Sequence, residues 1–231
     1  MNERREHLFD DPAVLARELA RTIAAKLGTA VRERGEASLV VSGGSTPQPL
    51  YTALSREPLD WERVAVTLAD ERWVPPEDPA SNEQRIRRFL LTGQAGKARW
   101  IGLWNAAPTP EEGWEECERV LAAIARPFDV VVLGMGEDGH TASLFPAAAN
   151  LAAGLDPAAG RSCLPVRPPH APHARISLTA AALLDSRRIV LHITGAAKWA
   201  VYQRALEPGT AEEMPIRVFF RRAPLEVYWA P

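Results

Sequence analysis

The stretch Phe128-Asp129-Val130-Val131-Val132-Leu133-Gly134-Met135-Gly136-Glu137-Asp138-Gly139-His140 carries the pattern that decides the fold. Phe128 to Leu133 is a near-continuous apolar run, as a strand buried on both faces requires, and it stops at Gly134-Met135-Gly136. The same pattern occurs twice upstream. Leu39-Val40-Val41 stops at Ser42-Gly43-Gly44, and the run from Val64 to Ala69 stops at Asp70-Glu71-Arg72. Downstream, Arg175 to Leu178, Ile189 to Ile193 and Leu225 to Trp229 read as further strands.

Helical patterns alternate with these strands. Asp11-Pro12 opens one, with Pro in the first turn where its missing N–H costs little. Leu15, Leu19, Ile23, Leu27 and Val31 then give one apolar stripe up to Gly35. Ser81 with Gln84, and Thr109-Pro110-Glu111-Glu112, are capping signals for helices running to Leu91 and to about Arg126. Shorter helices are expected over Ala180 to Leu184 and Ala196 to Leu206. Residues 147–173, rich in Ala, Pro and Gly, read as an irregular connection. This alternation predicts a single α/β domain over residues 1–231, a mainly parallel sheet with helices on both faces. In such sheets ligands bind beyond the carboxyl ends of the strands, which is where the polar, glycine-rich breaks fall.

Composition narrows the class of function. A chain of 231 residues, 46% hydrophobic and 24% charged, is long enough to bury one large core. The formal net charge of -2, with both signs interspersed, points to neither a nucleic-acid nor an anionic-membrane surface, so any anion site is local. There is no helix-turn-helix segment or basic arm of the kind that would make the chain a regulator's sugar-phosphate sensor. The start of the chain lacks the apolar region of a signal peptide, and no apolar run approaches the ~20 residues that span a bilayer. A cytoplasmic location is therefore expected. Cys117 and Cys163 stand far apart with no CxxC spacing and read as packing residues rather than a disulfide or zinc framework. His170 and His173 have no adjacent carboxylate or Cys, so solvent exposure fits them better than metal binding.

Four constellations carry candidate chemistry. Ser42-Gly43-Gly44-Ser45-Thr46-Pro47 follows a strand and opens a helix. Its glycines allow close backbone approach, and free N–H groups with the Ser45 and Thr46 hydroxyls suit a phosphate monoester. A tight turn with a hydroxyl capping the helix accounts for the same residues. No Lys follows as in a nucleotide phosphate loop, and Pro47 stands where a nucleophile elbow needs Gly. With Thr194 as cap, Lys198 falls in a first helical turn, where a cation is unfavourable by roughly 0.3–1 kcal/mol unless an anion sits beside it; a solvated surface Lys is the alternative. Arg175 is a candidate second cation, or a surface ion-pair partner. The formal GxGxxG at Gly134 is not a dinucleotide site, because Glu137 and Asp138 occupy the pyrophosphate position and Asp156 lies in the irregular connection. It reads instead as a loop presenting His140, with Asp138 near enough to bias its tautomer or protonation. Asp70 and Arg72, leaving their strand at the same edge, could hold sugar hydroxyls and stabilise developing negative charge, or form a local ion pair.

Taken in order, SGGSTP, ADERWVP with Asp78 and Ser81-Asn82 downstream, GMGEDGHTASLFP and ITGAAKW resemble the bacterial 6-phosphogluconolactonases over roughly residues 10 to 230. The resemblance implies a Rossmann-like α/β fold shared with glucosamine-6-phosphate deaminases and sugar-phosphate isomerases, with no metal or organic cofactor. It implies hydrolysis of 6-phospho-D-glucono-1,5-lactone, with a small sugar-phosphate lactone as the partner; a monomer or weak homo-oligomer is the expected state. On that basis Gly43, Gly44, Ser45, Thr46, Arg175 and Lys198 are expected to hold the phosphate, and His140, Asp138, Asp70 and Arg72 to carry the chemistry. The related deaminases are the alternative. Their pattern after the corresponding His includes Asn-Glu-Pro, where this chain has Leu144-Phe145-Pro146, and loss of that carboxylate favours lactone hydrolysis. Asp70 matches the position of their proton-abstracting acid, which leaves open whether it has a proton-transfer role here.

Overall fold

In the computed structural model, residues 4–222 and 225–231 are described. The apolar runs become β2 (Ala37–Val41), β3 (Val64–Leu68) and β6 (Val130–Leu133), with every residue of each buried. Among the described residues they join β1 (Arg5–Leu8), β5 (Arg99–Ile101), β9 (Ile189–Thr194) and β10 (Leu225–Ala230) in a seven-stranded sheet of order β1-β10-β9-β6-β2-β3-β5. Each neighbouring pair is parallel. From β2 the chain runs outward to β3 and β5, then crosses back to β6 on the other side of β2 and continues to β9 and β10. The direction reverses between β2 and β6, paired through Leu39 with Val130 and Val40 with Val131. The two glycine loops leave these strands at their carboxyl ends, on either side of the switch point where open sheets of this kind bind ligands.

The helices follow from local chemistry. α1 (Pro12–Arg34) starts with the Asp11 side chain accepting from the N–H of Ala13, and ends at Gly35, whose φ of 82° needs no Cβ. Its stripe of Leu15, Leu19, Ile23 and Leu27 is fully enclosed. Truncating any one of them to Ala costs about 2–5 kcal/mol. α2 (Gln48–Leu54) and α3 (Asn82–Phe89) follow the first and second strand breaks. Thr109 caps α4 (Pro110–Ala122), which stops short of Arg126. α6 (Ala180–Leu184) and α7 (Ala196–Leu206) fall where the pattern predicts.

Two expectations are corrected. Asp70-Glu71-Arg72 is not simply a break but β4 (Asp70–Arg72), and it pairs antiparallel with β8 (Arg175–Leu178) in a separate three-stranded sheet. Ala69 is the transfer point: its N–H donates to Val41 and its carbonyl accepts from Leu178. Residues 147–173 are not irregular throughout, for they hold α5 (Leu151–Leu155) and β7 (Cys163–Val166), the edge strand of the small sheet, where Pro165 is tolerated. The two cysteines, distant in sequence, meet in the core; both are free and buried. A hydrogen bond with Cys117, together with burial, pushes the Cys163 thiol pKa up. A last helix, α8 (Arg217–Arg222), has no counterpart in the sequence reading.

Candidate active site

The loops after β2 and β6, the start of β4, Arg175 on β8 and the first turn of α7 surround one cleft of about 330 Å³. Gly43, Gly44, Ser45, Thr46, Asp70, Arg72, His140, Arg175 and Lys198 all line it. Asp138 reaches it through His140.

The loop after β6 is built to present that histidine. Gly136 donates its N–H to the His140 carbonyl at 2.8 Å, and Gly139 donates to Gly136 at 3.1 Å, closing a tight turn. Gly139 takes φ 79°, which favours glycine. Within the turn, Asp138 Oδ1 accepts the backbone N–H of His140 at 3.0 Å and lies 2.6 Å from its Nδ1. A Cβ on residue 136 would stand 2.1 Å from Nδ1 and 2.6 Å from that carboxylate oxygen, so only glycine leaves room for the pair. Burial works against the Asp138 carboxylate, but the bonds from the His140 ring and backbone prevail and bring its pKa down to about 2. Asp138 is thus ionised near neutrality and accepts a hydrogen bond from Nδ1–H, which leaves the Nε2 lone pair available as a base. Phe145 packs against the ring at a tilt of 32°, with centroids 4.1 Å apart.

Asp70 has a different setting. It is 5% exposed, its Oδ2 accepts the Ser143 hydroxyl at 2.5 Å and lies 3.8 Å from Arg175 Nη1, which also donates to Ser143 Oγ at 3.3 Å. Burial pulls the Arg175 pKa down and Asp70 opposes it. The Arg175 guanidinium stands 5.1 Å from the centre of the Phe145 ring. Asp138, not Asp70, is therefore the carboxylate in contact with His140.

Arg72 is held by donation from Nη1 to the Ala80 carbonyl at 2.5 Å. Behind it, fully buried Glu71 accepts from the N–H groups of Arg72, Asn82 and Glu83 and from the Ser81 hydroxyl, joining β4 to the start of α3. Burial pushes Glu71 up to about 7 against these donors. Asn82 in turn donates to the Asp70 carbonyl at 2.9 Å, and a Cβ on residue 43 would lie 1.9 Å from its Oδ1. Gly43 is required for that approach. The sequence reading missed Glu71, Ser143 and His192, and passed over Asn82. The Ser81–Gln84 signal marked a helix start, but nothing local indicated that a residue ten positions earlier would occupy it.

Lys198 is the third residue of α7, as expected, but the cap is Gly195 at φ 87° rather than Thr194. At the other wall, α2 is capped by Pro47 with no side-chain bond, so neither Ser45 nor Thr46 is used as its cap. The Tyr51 hydroxyl donates to the Ser42 carbonyl at 2.7 Å and pins the loop. Among the described residues no group of His, Cys, Asp and Glu could hold a metal ion, and no helix is long and apolar enough to cross a membrane.

The family model for glucosamine-6-phosphate isomerases/6-phosphogluconolactonase matches residues 10–229. The chain belongs to this family. It is 46% identical over 225 residues to a 6-phosphogluconolactonase of Pseudomonas putida, covering 97% of this chain and 92% of that one. A crystal structure of a 6-phosphogluconolactonase from Shewanella baltica OS155 superposes with a TM-score of 0.96 at 46% identity, over 99% of this chain and 98% of that one. The fold extends to a monomeric glucosamine-6-phosphate deaminase, with a TM-score of 0.81 at 19% identity over 98% and 97% of the two chains. Within the isomerase/lactonase family, then, the chain stands among relatives named for lactone hydrolysis.

Proposed function

We propose that the chain hydrolyses 6-phospho-D-glucono-1,5-lactone to 6-phosphogluconate. The observation that carries this reading is a histidine base locked by Asp138 in the same cleft that Lys198, Ser45 and Thr46 line. The phosphate binds the Gly43–Thr46 loop, Lys198 and Arg175. One of the five N–H groups of Arg175 goes to Ser143, which leaves others for substrate. Anchored there, the lactone carbonyl carbon meets a water beside Nε2 of His140. His140 takes a proton as the water oxygen bonds to the carbonyl carbon, and Asp138 stabilises the imidazolium that forms. Arg72 and nearby backbone N–H groups face the tetrahedral oxyanion. Collapse breaks the bond to the ring oxygen, which receives the proton from His140, and the open-chain acid leaves. A lactone is already an activated ester, so the scheme needs no covalent nucleophile. Asp70, engaged by Ser143 and Arg175, orients Arg175 in this scheme.

Phe145 supports hydrolysis over amine chemistry, because an apolar ring covers His140 where a deaminase-type site carries a carboxylate. The test is turnover of the lactone, made in situ from glucose 6-phosphate, with the spontaneous rate subtracted. Ammonia release from glucosamine 6-phosphate is measured in parallel. Loss of lactone well above the spontaneous rate and no ammonia is the expected result; ammonia with background lactone loss overturns the reading.

A further inference from the structure

Strand β9 brings a second histidine to the cleft, and the chemistry above does not use it. His192 is 4% exposed, yet it borders two cavities. One is the active cleft. The other, of about 270 Å³, lies against Pro12, Ala16 and Pro49. Ser45 and Thr46 line both as well, so the two hydroxyls and the imidazole border the same two spaces. Lys198 faces the active-cleft side.

The ring's hydrogen bonding is one-sided. Nδ1 is enclosed and has no partner among the described residues, whereas Nε2 is not enclosed in this way. A buried orphan N–H is rarer and costlier than a buried orphan lone pair, so the ring proton belongs on Nε2. Burial also pushes the His192 pKa down to about 4, which keeps the ring neutral at physiological pH. A phosphate monoester offers more acceptor lone pairs than two hydroxyls and a Lys can fill. A neutral donor serves it without placing another cation beside Lys198 and Arg175 in the free protein.

We propose that His192 is a further substrate-binding residue, donating Nε2–H to a phosphate oxygen held between Ser45, Thr46 and Lys198. The assignment rests on the placement of the phosphate end given above.

The experiment compares wild type, His192→Leu, His192→Gln and Lys198→Ala in steady-state hydrolysis of the phosphorylated lactone, with inorganic phosphate as competitive inhibitor. His192→Leu is expected to raise KM and the phosphate inhibition constant together by about tenfold, with kcat little changed. His192→Gln, which keeps an N–H near the Nε2 position, recovers most of that loss. If Lys198→Ala raises KM and His192→Leu does not, the phosphate end stands and the role of His192 falls. If neither changes KM, the phosphate placement itself falls. Equal loss of kcat and KM in both His192 variants would show a purely structural role and overturn the proposal. Should His192→Leu fail to fold, nitrogen NMR of wild type decides: inorganic phosphate must shift the His192 Nε2–H resonance, and an unmoved resonance overturns it.

Discussion

Asp138 Oδ1 sits 2.6 Å from His140 Nδ1 and accepts the backbone N–H of the same residue at 3.0 Å, so one carboxylate oxygen fixes both the ring and the peptide that carries it. The geometry sets the tautomer, leaving Nε2 without a proton, and it also positions a negative charge to stabilise the imidazolium that forms during water attack. Asp138→Asn keeps the size and loses both effects. Its kcat is expected to fall by about 10²-fold or more with little change in KM, read by steady-state kinetics. A KM effect with normal kcat would place Asp138 in substrate binding instead.

Gly136→Ala tests the same pair through the backbone. The new Cβ would meet His140 Nδ1 at 2.1 Å, so the ring must leave Asp138 or the turn must open. The variant is expected to lose at least as much kcat as Asp138→Asn while its inhibition by inorganic phosphate is retained, because the phosphate loop belongs to β2. Near-normal kcat would show that the pairing is dispensable.

Phe145→Glu brings a carboxylate to a position now 4.1 Å, ring to ring, from His140 and 5.1 Å from the Arg175 guanidinium. The added carboxylate lies within reach of the Arg175 guanidinium and competes with an anionic substrate for it. Lactone KM is expected to rise and kcat/KM to fall at neutral pH. Unchanged kcat/KM would show that the Phe145 position bears on neither His140 nor Arg175.

His192 gives the protein an acid-sensitive component of stability. Its pKa is lowered by burial to about 4 in the fold, against 6.5 as the ordinary value. Between those limits the unfolded chain binds a proton that the native one refuses, so stability rises with pH there. The contribution is fully present above about 6.5 and is lost as pH falls through about 4, amounting to at most about 3 kcal/mol. Urea unfolding at pH 7 and pH 4.5 measures it. His192→Leu is expected to show a correspondingly smaller acid loss, and an identical loss in both proteins would contradict this.

The legible parts of the molecule were those where one short segment determines its own structure. Three apolar runs broken by polar residues gave the central strands, and Asp11 and Gly35 gave both ends of α1. Gly136, Asp138, Gly139 and His140 lie within four residues of one another, so their geometry is local and the sequence displays it. What escaped depends on distant pairing. The three residues of β4 are too few to show a period, and they form a strand only because β8, a hundred residues away, lies beside them. Cys163 to Val166 hid behind Pro165 and an Ala- and Gly-rich flank. Thr194 looked like a cap by residue type, but Gly195 adopts the required conformation more easily. Ser143 and Glu71 act through partners on other elements, and His192 reads as one polar residue in an apolar strand until the two cavities are placed around it.

The most direct test of the account is the rate of His140→Ala on the phosphorylated lactone, with the spontaneous rate subtracted and the phosphate inhibition constant measured alongside. Removal of the base is expected to lower kcat by about 10²–10⁴-fold and to leave phosphate affinity within a small factor of wild type. A His140→Ala protein with near-normal kcat would contradict the central claim and move the proton transfer to another group lining the cleft, Asp70 first.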